Sequence, residues 1–492
     1  MRIAFASSEV FPFAKVGGLG DVSGALPKAL TSLGHDVKVF LPRYSAINEF
    51  GHHIEYVHQV GEMPVRVAGN THTTRVFKTN LPDSAVEVYL IDCPHYYHRK
   101  DYKNTHLIYT SQGDEDERFI HFSKAVIETI QRLKWAPEIL HVNDWPTAII
   151  PLLLRDNYSW DRFFDKTATA ITIHNIGYQG RFSKDTIYKA EIRPELFYQN
   201  SPIEVWGSFC FLKTGLMYSD VINTVSMTYA REITTSDYGE GLQGVLNYRI
   251  NDFFGILNGV DYSVWNPDRD PMIPYRYTRD DLSGKTENKK YLLRYFHMPF
   301  HHGTPVIGMV SRLVGQKGFD IIADAVAELL QLPAQFVVLG SGEQKYEDLF
   351  ELLHHKFPDK VGIWRGKNEE LAHLIEAGSD MFLMPSLYEP CGLNQIYSLK
   401  YGTVPLVRRT GGLADTVMDW HEHFGAQDGT GFSFYDYTGP ALVSTVKRAI
   451  ETYHHRDAWH KLMLNGMAKD YSWEVSAKRY ELMYHHAIAK RK

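Results

Sequence analysis

The sequence is poor in cysteine and has no excess of basic residues. Its three cysteines, Cys93, Cys210 and Cys391, are odd in number and far apart. This spacing excludes a disulfide framework and a zinc site made of paired cysteines, and it fits a reducing compartment. The 52 lysines and arginines are outnumbered by 58 aspartates and glutamates. The balance argues against a general nucleic-acid or membrane surface, although a local basic pocket is compatible with it.

Long apolar runs are also missing. No stretch approaches the roughly 18 unbroken apolar residues of a membrane helix. The first apolar run is short and ends at Glu9, unlike a signal peptide. We therefore expect a cytoplasmic protein without a membrane partner. What is present is an ordinary globular composition, 44% hydrophobic and 22% charged. The 492 residues are too many for one core, which predicts two large domains.

Strand-like and helix-like segments alternate along the chain. "RIAFAS", a glycine-rich loop, "DVSGALPKALTSLG" and "HDVKVFLP" form a β-loop-α-β pattern, and the alternation starts again at "PVIGMVSRL". This indicates an α/β fold with parallel sheets. The segment after Gly259 is rich in Asp, Pro, Tyr and Arg and is interpreted as the crossing between two domains. Asp268 and Asp270 resemble a D-x-D metal motif, but their place in this segment predicts loop charge. No cluster has metal-ligand spacing, so we expect no metal site.

The loop "FAKVGGLGDV" follows the first strand and precedes the first helix. A glycine-rich turn at such a place leaves backbone N–H groups free for an anion, and Lys15 adds a mobile positive charge. The alternative is a tight structural turn. The loop does not match G-x-G-x-x-G, and no ribose-binding acid follows at the expected distance, which argues against a nicotinamide enzyme.

The second half carries a comparable group of charged residues. "SRLVGQKGFD" places Arg312 and Lys317 between a strand and a helix, where they could neutralise a diphosphate, or remain solvated cations. Glu389 ends a buried strand, a costly place for a carboxylate without a partner. Gly411 and Gly412 form another turn at a helix start. His174 also ends a strand, where it is either functional or a satisfied structural histidine; Cys391 is expected to pack as a small apolar residue.

Seven motifs occur in one order: "KVGGLGDV", "HVNDW", "TIHNIGYQG", "NGVD", "SRLVGQKG", "EPCGLNQ" and "RTGGLADTV". From Met1 to about Tyr471 the chain resembles the bacterial glycogen synthase and plant starch synthase family, retaining glycosyltransferases of the ADP-glucose type. The resemblance implies a GT-B fold, with two Rossmann-like domains facing each other across a cleft and a C-terminal helix returning to the first domain. It implies an N-terminal domain at 1–262, a nucleotide-sugar domain at 263–471 and the helix at 472–492.

The resemblance also implies roles for individual residues. Catalytic positions are His174, Glu389, Arg312 and Lys317. Donor-binding positions are Lys15, Gly17, Gly18, Asp21, Asn258, Cys391, Gly392, Leu393, Thr410 and Gly411. Acceptor-binding positions are Tyr97 and Asp144. The implied substrates are ADP-glucose and an α-1,4-glucan, with no metal and no cofactor, because Arg312 and Lys317 would carry the leaving charge.

Three positions depart from common patterns in related transferases. Tyr397 stands where many of them have a second glutamate, as in this family's own variant. Lys367 replaces an aromatic residue that stacks on adenine, which leaves UDP-glucose as an alternative donor. Pro146 replaces a histidine on the acceptor side. The other hypotheses are a transferase with a small acceptor, a noncatalytic glucan-binding protein and, on composition alone, a nicotinamide oxidoreductase.

Overall fold

The computed structural model describes residues 1–47, 51–100, 108–110, 113–423 and 427–491. Packing divides the chain into two compact units. The first unit comprises Met1–Val225, Ala230–Gly259 and Trp473–Lys492, and the second comprises Ser226–Tyr229 and Val260–Ser472. The sequence predicts divisions at 262/263 and 471/472 but not the short excursion at Ser226–Tyr229. That excursion belongs to the second unit because the Asp415 carboxylate accepts hydrogen bonds from the backbone N–H groups of Met227 and Thr228.

The first unit is built on a ten-stranded sheet of order β13-β12-β8-β7-β1-β2-β6-β5-β3, with β4 paired to β5. Its strands are β1 (Arg2–Ala6), β2 (Asp36–Pro42), β3 (Glu55–Tyr56), β4 (Met63–Val67), β5 (Asn70–Asn80), β6 (Glu87–Asp92), β7 (Ile139–Asn143), β8 (Ala168–Ile173), β12 (Val221–Thr224) and β13 (Phe253–Gly255); a small antiparallel sheet contains β9 (Arg181–Phe182), β10 (Glu204–Val205) and β11 (Ser208–Cys210). From β13 to β6 all neighbours are parallel. Strands such as β7 and β8 are buried throughout, as expected of a parallel sheet covered on both faces.

Helices cover this sheet. They are α1 (Gly18–Ser32), α2 (Pro94–Tyr97), α3 (Glu115–Leu133), α4 (Asp144–Thr147), α5 (Ile150–Arg155), α6 (Thr186–Ala190), α7 (Phe211–Tyr218), α8 (Met227–Glu232), which begins in the second unit, and α9 (Gln243–Tyr248). No helix among the described residues is long and apolar enough to cross a membrane.

The second unit has a six-stranded parallel sheet of order β16-β15-β14-β17-β18-β19. Its strands are β14 (Val306–Val310), β15 (Gln335–Gly340), β16 (Val361–Arg365), β17 (Met381–Met384), β18 (Val404–Arg408) and β19 (Phe432–Phe434). Its helices are α10 (Ser283–Tyr295), α11 (Phe319–Asp324), α12 (Val326–Gln331), α13 (Gln344–Lys356), α14 (Glu369–Gly378), α15 (Asn394–Lys400), α16 (Gly411–Thr416), α17 (Gly439–His454) and α18 (Arg456–Met467). Each unit is therefore a doubly wound, Rossmann-like domain, as the sequence predicted.

The last helix, α19 (Trp473–Ala489), belongs to the first unit, which confirms the predicted return of the chain. Two buried tyrosines of α19 reach the sheet. The Tyr484 hydroxyl lies 2.8 Å from His141 Nδ1 on β7, and the Asn223 amide of β12 donates to the Tyr480 hydroxyl. Because these polar groups are fully buried, their mutual hydrogen bonds fix the helix on the strands.

The prediction that Asp270 carries loop charge was wrong. Asp270 is completely buried. Its carboxylate accepts hydrogen bonds from the Tyr401 hydroxyl at 2.5 Å and from His373 Nδ1 at 2.7 Å. The His373 ring stacks on Trp265 at 3.7 Å, and Trp265 stacks in turn on Tyr397 at 3.9 Å. The crossing segment is thus anchored in the second unit by a buried charge and an aromatic stack.

Candidate active site

The carboxyl ends of the strands carry the predicted site residues in both units. In a doubly wound sheet, ligands bind where the strand order reverses. In the first unit β1 lies between β2 and β7, and the glycine loop follows β1 while Asp144 follows β7. In the second unit β14 lies between β15 and β17, with Arg312 after β14 and Glu389 after β17. Sequence motifs and topology therefore select the same end of each sheet.

The glycine loop is held by a carboxylate that the sequence analysis did not single out. Glu9 Oε2 accepts hydrogen bonds from the backbone N–H groups of Val16 at 2.6 Å and Gly17 at 2.9 Å, and the Tyr109 hydroxyl donates to Glu9 Oε1. Glu9 is buried. The two loop N–H groups expected to meet an external anion are therefore occupied by the protein's own carboxylate, and a ligand anion would have to displace it or use neighbouring groups.

The charged side chains of this loop pair with each other. Lys15 Nζ lies 2.6 Å from Asp21 Oδ1, and both side chains are partly exposed. A Cβ at Gly17 or Gly18 would meet nothing within 4 Å, whereas one at Gly24 would lie 2.7 Å from the Phe11 carbonyl oxygen. Gly24 is thus required by packing. The bare backbone at Gly17 and Gly18 has no such internal reason, and it leaves room for close approach of a ligand.

Gly18→Ala and Gly412→Ala should therefore have very different effects on the free energy of unfolding. A Cβ at Gly412 would lie 1.9 Å from the Cys391 carbonyl oxygen, so we expect a loss of unfolding free energy of at least about 2 kcal/mol. Alanine at Gly18, the first residue of α1, should change the unfolding free energy by no more than about 0.5 kcal/mol. Urea unfolding measures both. If Gly18→Ala also raises the KM for the donor, the bare backbone is used by a ligand; an unchanged KM would contradict that role.

Asp144, Asn143 and His174 form one hydrogen-bonded group. Asp144 Oδ1 accepts from the His174 backbone N–H at 2.7 Å, and His174 Nε2 lies 3.0 Å from Asn143 Oδ1. Because the Asn143 amide donates to the Ala6 carbonyl, its oxygen faces the histidine and the ring donates through Nε2. Burial lowers the pKa of His174 to about 3, so the ring is neutral at physiological pH.

Asp144 is held in an unusual state. Its backbone has φ of 51°, in the left-handed region that non-glycine residues rarely adopt. Although the residue is partly exposed, burial of the carboxyl group among protein atoms raises its pKa from the ordinary 3.8 to about 7, against the opposing effect of backbone N–H donors. Strain and a perturbed carboxyl group at one position are typical of functional sites.

The raised pKa of Asp144 predicts a pH dependence of stability. Between about pH 4 and pH 7 the folded chain keeps a proton that the unfolded chain has lost, so this contribution is favourable at low pH and disappears as pH rises through 7. We expect Asp144→Asn to reduce the fall in unfolding free energy between pH 4.5 and pH 8. Urea unfolding of both proteins at the two pH values measures the difference. Equal falls in the two proteins would contradict the raised pKa.

Tyr97 does not lie where the sequence analysis expected it. The side chain is 0% exposed, and its hydroxyl lies 2.7 Å from His121 Nδ1 and donates to the Arg118 carbonyl. A direct contact between this side chain and an acceptor glucan is therefore wrong for this structure; Tyr97 joins α2 to α3. Asn258 is also buried, and its Oδ1 has no hydrogen-bond partner among the described residues, so it stays a candidate for ligand binding.

In the second unit, Arg312, Lys317 and Glu389 line one cavity of about 230 Å³. Lys317 Nζ lies 2.5 Å from Glu389 Oε2, and the Ser386 hydroxyl donates to the same oxygen at 3.1 Å. Glu389 is only 6% exposed, and the ion pair with Lys317 offsets the desolvation penalty of its buried carboxylate. Arg312 is exposed, and its guanidinium has no hydrogen bond or ion pair with the residues that the structure describes. Arg312 is thus the available cation of this cavity, whereas Lys317 is already paired with Glu389.

The loop before α11 is fixed against the strand end that carries Glu389. Gly318 has φ of 84°, and a Cβ there would lie 2.2 Å from the Pro385 carbonyl oxygen. The Leu387 backbone N–H donates to the Gln316 carbonyl. The glycine after Lys317 therefore allows the two loops to touch, which brings Lys317 to Glu389.

The remaining donor-binding candidates surround Glu389. Gly392 and Leu393 line the same cavity, whereas Cys391 is buried, as expected of an apolar packing residue. Thr410 is buried, and Gly411 has φ of 45° with its missing Cβ 1.9 Å from the Glu389 carbonyl oxygen. The turn at Gly411 thus packs on the protein's own backbone. This close packing requires glycine there, whether or not the turn binds an anion.

Lys367 and Pro146, which depart from the patterns of related transferases, lie in different parts of the fold. Lys367 is exposed in the turn between β16 and α14, and Pro146 is buried within the short helix α4.

Three site residues, Glu9, Asn143 and Ser386, were not identified from the sequence. Their signal in the sequence was weak: Asn143 is the last residue of β7, and Glu9 and Ser386 are polar residues shortly after β1 and β17. Within the described ranges, no group of three or more His, Cys, Asp or Glu side chains could hold a metal ion.

Known proteins are similar to this chain along its whole length. Residues 2–248 match the starch synthase catalytic domain family, and residues 296–462 match the glycosyl transferases group 1 family. The chain is 42% identical to a glycogen synthase of Thermosipho africanus over 495 residues, with 100% of both chains covered. It is 44% identical to glycogen synthase 1 of Geobacter metallireducens, covering 100% of this chain and 97% of that protein.

Among solved structures, the catalytic domain of starch synthase IV from Arabidopsis thaliana, bound to ADP and acarbose, is similar with a TM-score of 0.90. Sequence identity is 31%, and 99% of each chain is covered. This likeness confirms the GT-B type of fold, and the full-length relatives confirm the activity class as a retaining glucosyltransferase. The chain belongs to the glycogen synthase and starch synthase family of glycosyltransferases.

Proposed function

We propose that the protein transfers glucose from ADP-glucose to the non-reducing end of an α-1,4-glucan with retention of configuration. The observation that carries this proposal is that, in a chain similar to glycogen synthases throughout its length, each unit has its candidate residues at the carboxyl end of its own sheet. The similar plant enzyme is described with ADP and acarbose, which supports an adenine nucleotide as the leaving group here.

Arg312 and Lys317 are assigned to the diphosphate. When the bond between glucose C1 and the phosphate oxygen breaks, negative charge develops on the departing nucleotide, and fixed cations lower the energy of that charge. Arg312 is available, and Lys317 has further donors beyond the one bound to Glu389. These two cations take the role that a divalent metal has in other transferases, so we expect activity without added metal.

His174 and Glu389 are assigned to the donor sugar. As C1 loses its leaving group it becomes positively charged, and a protonated imidazole beside it would oppose the reaction. The low pKa of His174 keeps the ring neutral, so the ring dipole and the main-chain carbonyl can face the sugar without that repulsion. Glu389 accepts hydrogen bonds from sugar hydroxyls and fixes their orientation.

Retention follows from front-face displacement. The acceptor hydroxyl attacks C1 on the side that the phosphate leaves, and its proton passes to the departing phosphate oxygen. Glu389 is already committed to Lys317 and Ser386, which favours a positioning role over attack on C1. On the acceptor side, we assign Asp144 to holding the His174 backbone in place.

Incorporation of labelled glucose into glycogen tests the proposal, with ADP-glucose and UDP-glucose compared in the presence of a chelator. We expect polymer growth from ADP-glucose with the chelator present. Growth from UDP-glucose alone would overturn the donor assignment and point to Lys367 as its cause. Growth from neither nucleotide sugar would overturn the proposed function, and growth that stops in the chelator would overturn the metal-free mechanism.

A further inference from the structure

One short segment fixes the backbone on both sides of Lys15, the single cation of the glycine loop "FAKVGGLGDV". Before Lys15, the Ala14 backbone exchanges two hydrogen bonds with the Val10 backbone, each of 2.9 Å. After Lys15, the next two backbone N–H groups donate to Glu9 Oε2 at 2.6 Å and 2.9 Å. Because Glu9 and Val10 are consecutive, two adjacent residues hold the chain on either side of the lysine.

The Lys15 side chain is directed as well as its backbone. Its Nζ lies 2.6 Å from Asp21 Oδ1 and 5.5 Å from the centre of the Phe11 ring. A Cβ at Gly20 would lie 2.9 Å from Lys15 Cγ, so the bare backbone there lets the lysine stem cross the first turn of α1. The side chain remains 41% exposed. Since an ammonium group has three N–H donors and Asp21 takes one, the others can reach a ligand.

Glu9 is tied to the protein by more than the loop. The residue is 4% exposed, and the hydroxyl of Tyr109, 100 residues further along the chain, donates to its Oε1 at 2.9 Å. The same hydroxyl lies 2.9 Å from Ser8 Oγ, and the Ser7 hydroxyl donates to the Glu9 carbonyl at 2.7 Å. A buried carboxylate with three donors would lose all of them if a ligand displaced it. We therefore expect Glu9 to stay bound to the loop when the donor is present.

We propose that Glu9 is a positioning residue that acts on the donor through Lys15. Its carboxylate fixes the loop so that the Lys15 ammonium is available to the leaving phosphate, and Glu9 itself does not contact the substrate. The inference rests on the proposed function, in which negative charge develops on the departing nucleotide. The loop then serves the donor through a side-chain cation, because two of its N–H groups remain bound to Glu9.

Steady-state kinetics of Glu9→Leu and Glu9→Gln test this role. Leucine removes both acceptor oxygens, the loop loses its anchor, and we expect kcat to fall by at least about tenfold. Glutamine keeps one oxygen that can accept from both loop N–H groups, and its amide can donate to the Tyr109 hydroxyl. Glu9→Gln should therefore keep at least about one third of the wild-type kcat. Equal losses in the two variants would show that the charge itself acts, which would overturn a positioning role.

A double-mutant cycle tests whether Glu9 acts through Lys15. Lys15→Ala alone should lower kcat by at least about 100-fold, and adding Glu9→Leu should lower it by less than about twofold more. A further tenfold fall, measured in the same way, would show an effect of Glu9 that bypasses Lys15. A lower KM for ADP-glucose in Glu9→Leu would show that the released N–H groups bind the donor, and would also overturn the proposal.

Glu204→Leu is the matched control. Glu204 is a buried carboxylate of the same unit, and it also accepts from two backbone N–H groups, those of Asn200 and Gly207. Urea unfolding should show a loss of stability similar to that of Glu9→Leu, whereas kcat should stay within about twofold of the wild-type value. Similar falls of kcat in the two leucine variants would trace the loss to instability and overturn the proposal.

Gly20→Ala tests the position of Lys15 without changing Glu9. The added Cβ would push the lysine stem aside, so kcat should fall by at least about fivefold. This variant decides the question if Glu9→Leu fails to fold, and an unchanged kcat would overturn the proposal. A wild-type protein that transfers no glucose would refute the proposed function, whereas an active wild type with unaffected Glu9 variants would refute this inference alone.

Discussion

Glu389→Gln is expected to lower turnover by about 100-fold while changing the KM for ADP-glucose by less than about threefold. The amide keeps the size of the carboxylate, so the buried site should not collapse. It loses the negative charge that accepts from Lys317 and Ser386 and that we assign to the sugar hydroxyls. Because these hydrogen bonds hold the sugar for displacement at C1, the loss should appear in kcat. Steady-state kinetics with glycogen as acceptor measure it.

Glutamine is preferred to alanine at this position for a structural reason. Glu389 is buried and paired, so alanine would leave a space and an unpartnered ammonium group, and instability would be confused with lost chemistry. Glu343→Gln is the matched control. Glu343 is exposed and accepts from the Gly315 backbone N–H in the same loop that carries Lys317, yet it does not line the cavity. Wild-type turnover in Glu389→Gln would refute the assigned role.

His174→Ala is expected to lower turnover by a comparable factor, about 100-fold, through lost stabilisation of the positive charge that develops at C1. Its backbone N–H still bonds Asp144, so the strand end should keep its shape. His95→Ala is the matched control, since His95 is an exposed histidine of the same unit. Turnover above one tenth of the wild-type value would contradict a contact between the ring and the reacting sugar.

The pH profile of the wild-type enzyme gives a second check on His174. Its pKa of about 3 means that the ring gains no proton between pH 5 and pH 9. The ring should therefore contribute no inflection in kcat over that range. An inflection near pH 6.5 that disappears in His174→Ala would show a charged ring and would contradict the neutral-histidine mechanism.

The sequence by itself determined the architecture and the location of the chemistry. Alternation of short apolar strands with amphipathic helices is a local property, so an α/β fold with parallel sheets could be predicted from the pattern. The two Rossmann-like units and the return of the C-terminal segment were implied by the resemblance of the motifs to the family. Candidate residues such as His174, Arg312 and Glu389 lie at or shortly after the ends of predicted strands. Since parallel strands end at one edge of a sheet, adjacency in sequence was enough to group them within each unit.

The tertiary structure alone decided which polar groups are already occupied. Tyr97 points into the core and Asp270 is a buried anchor because each finds partners far away in sequence. The glycine loop binds the nearby Glu9, and the distant Tyr109 donates a hydrogen bond to that carboxylate. Gly411 and Gly412 look like an anion-binding turn in sequence and are backbone contacts in space. Burial and hydrogen-bond partners arise only when distant segments pack together. The pKa values of Asp144 and His174 therefore belong to the fold and not to the motifs that contain them.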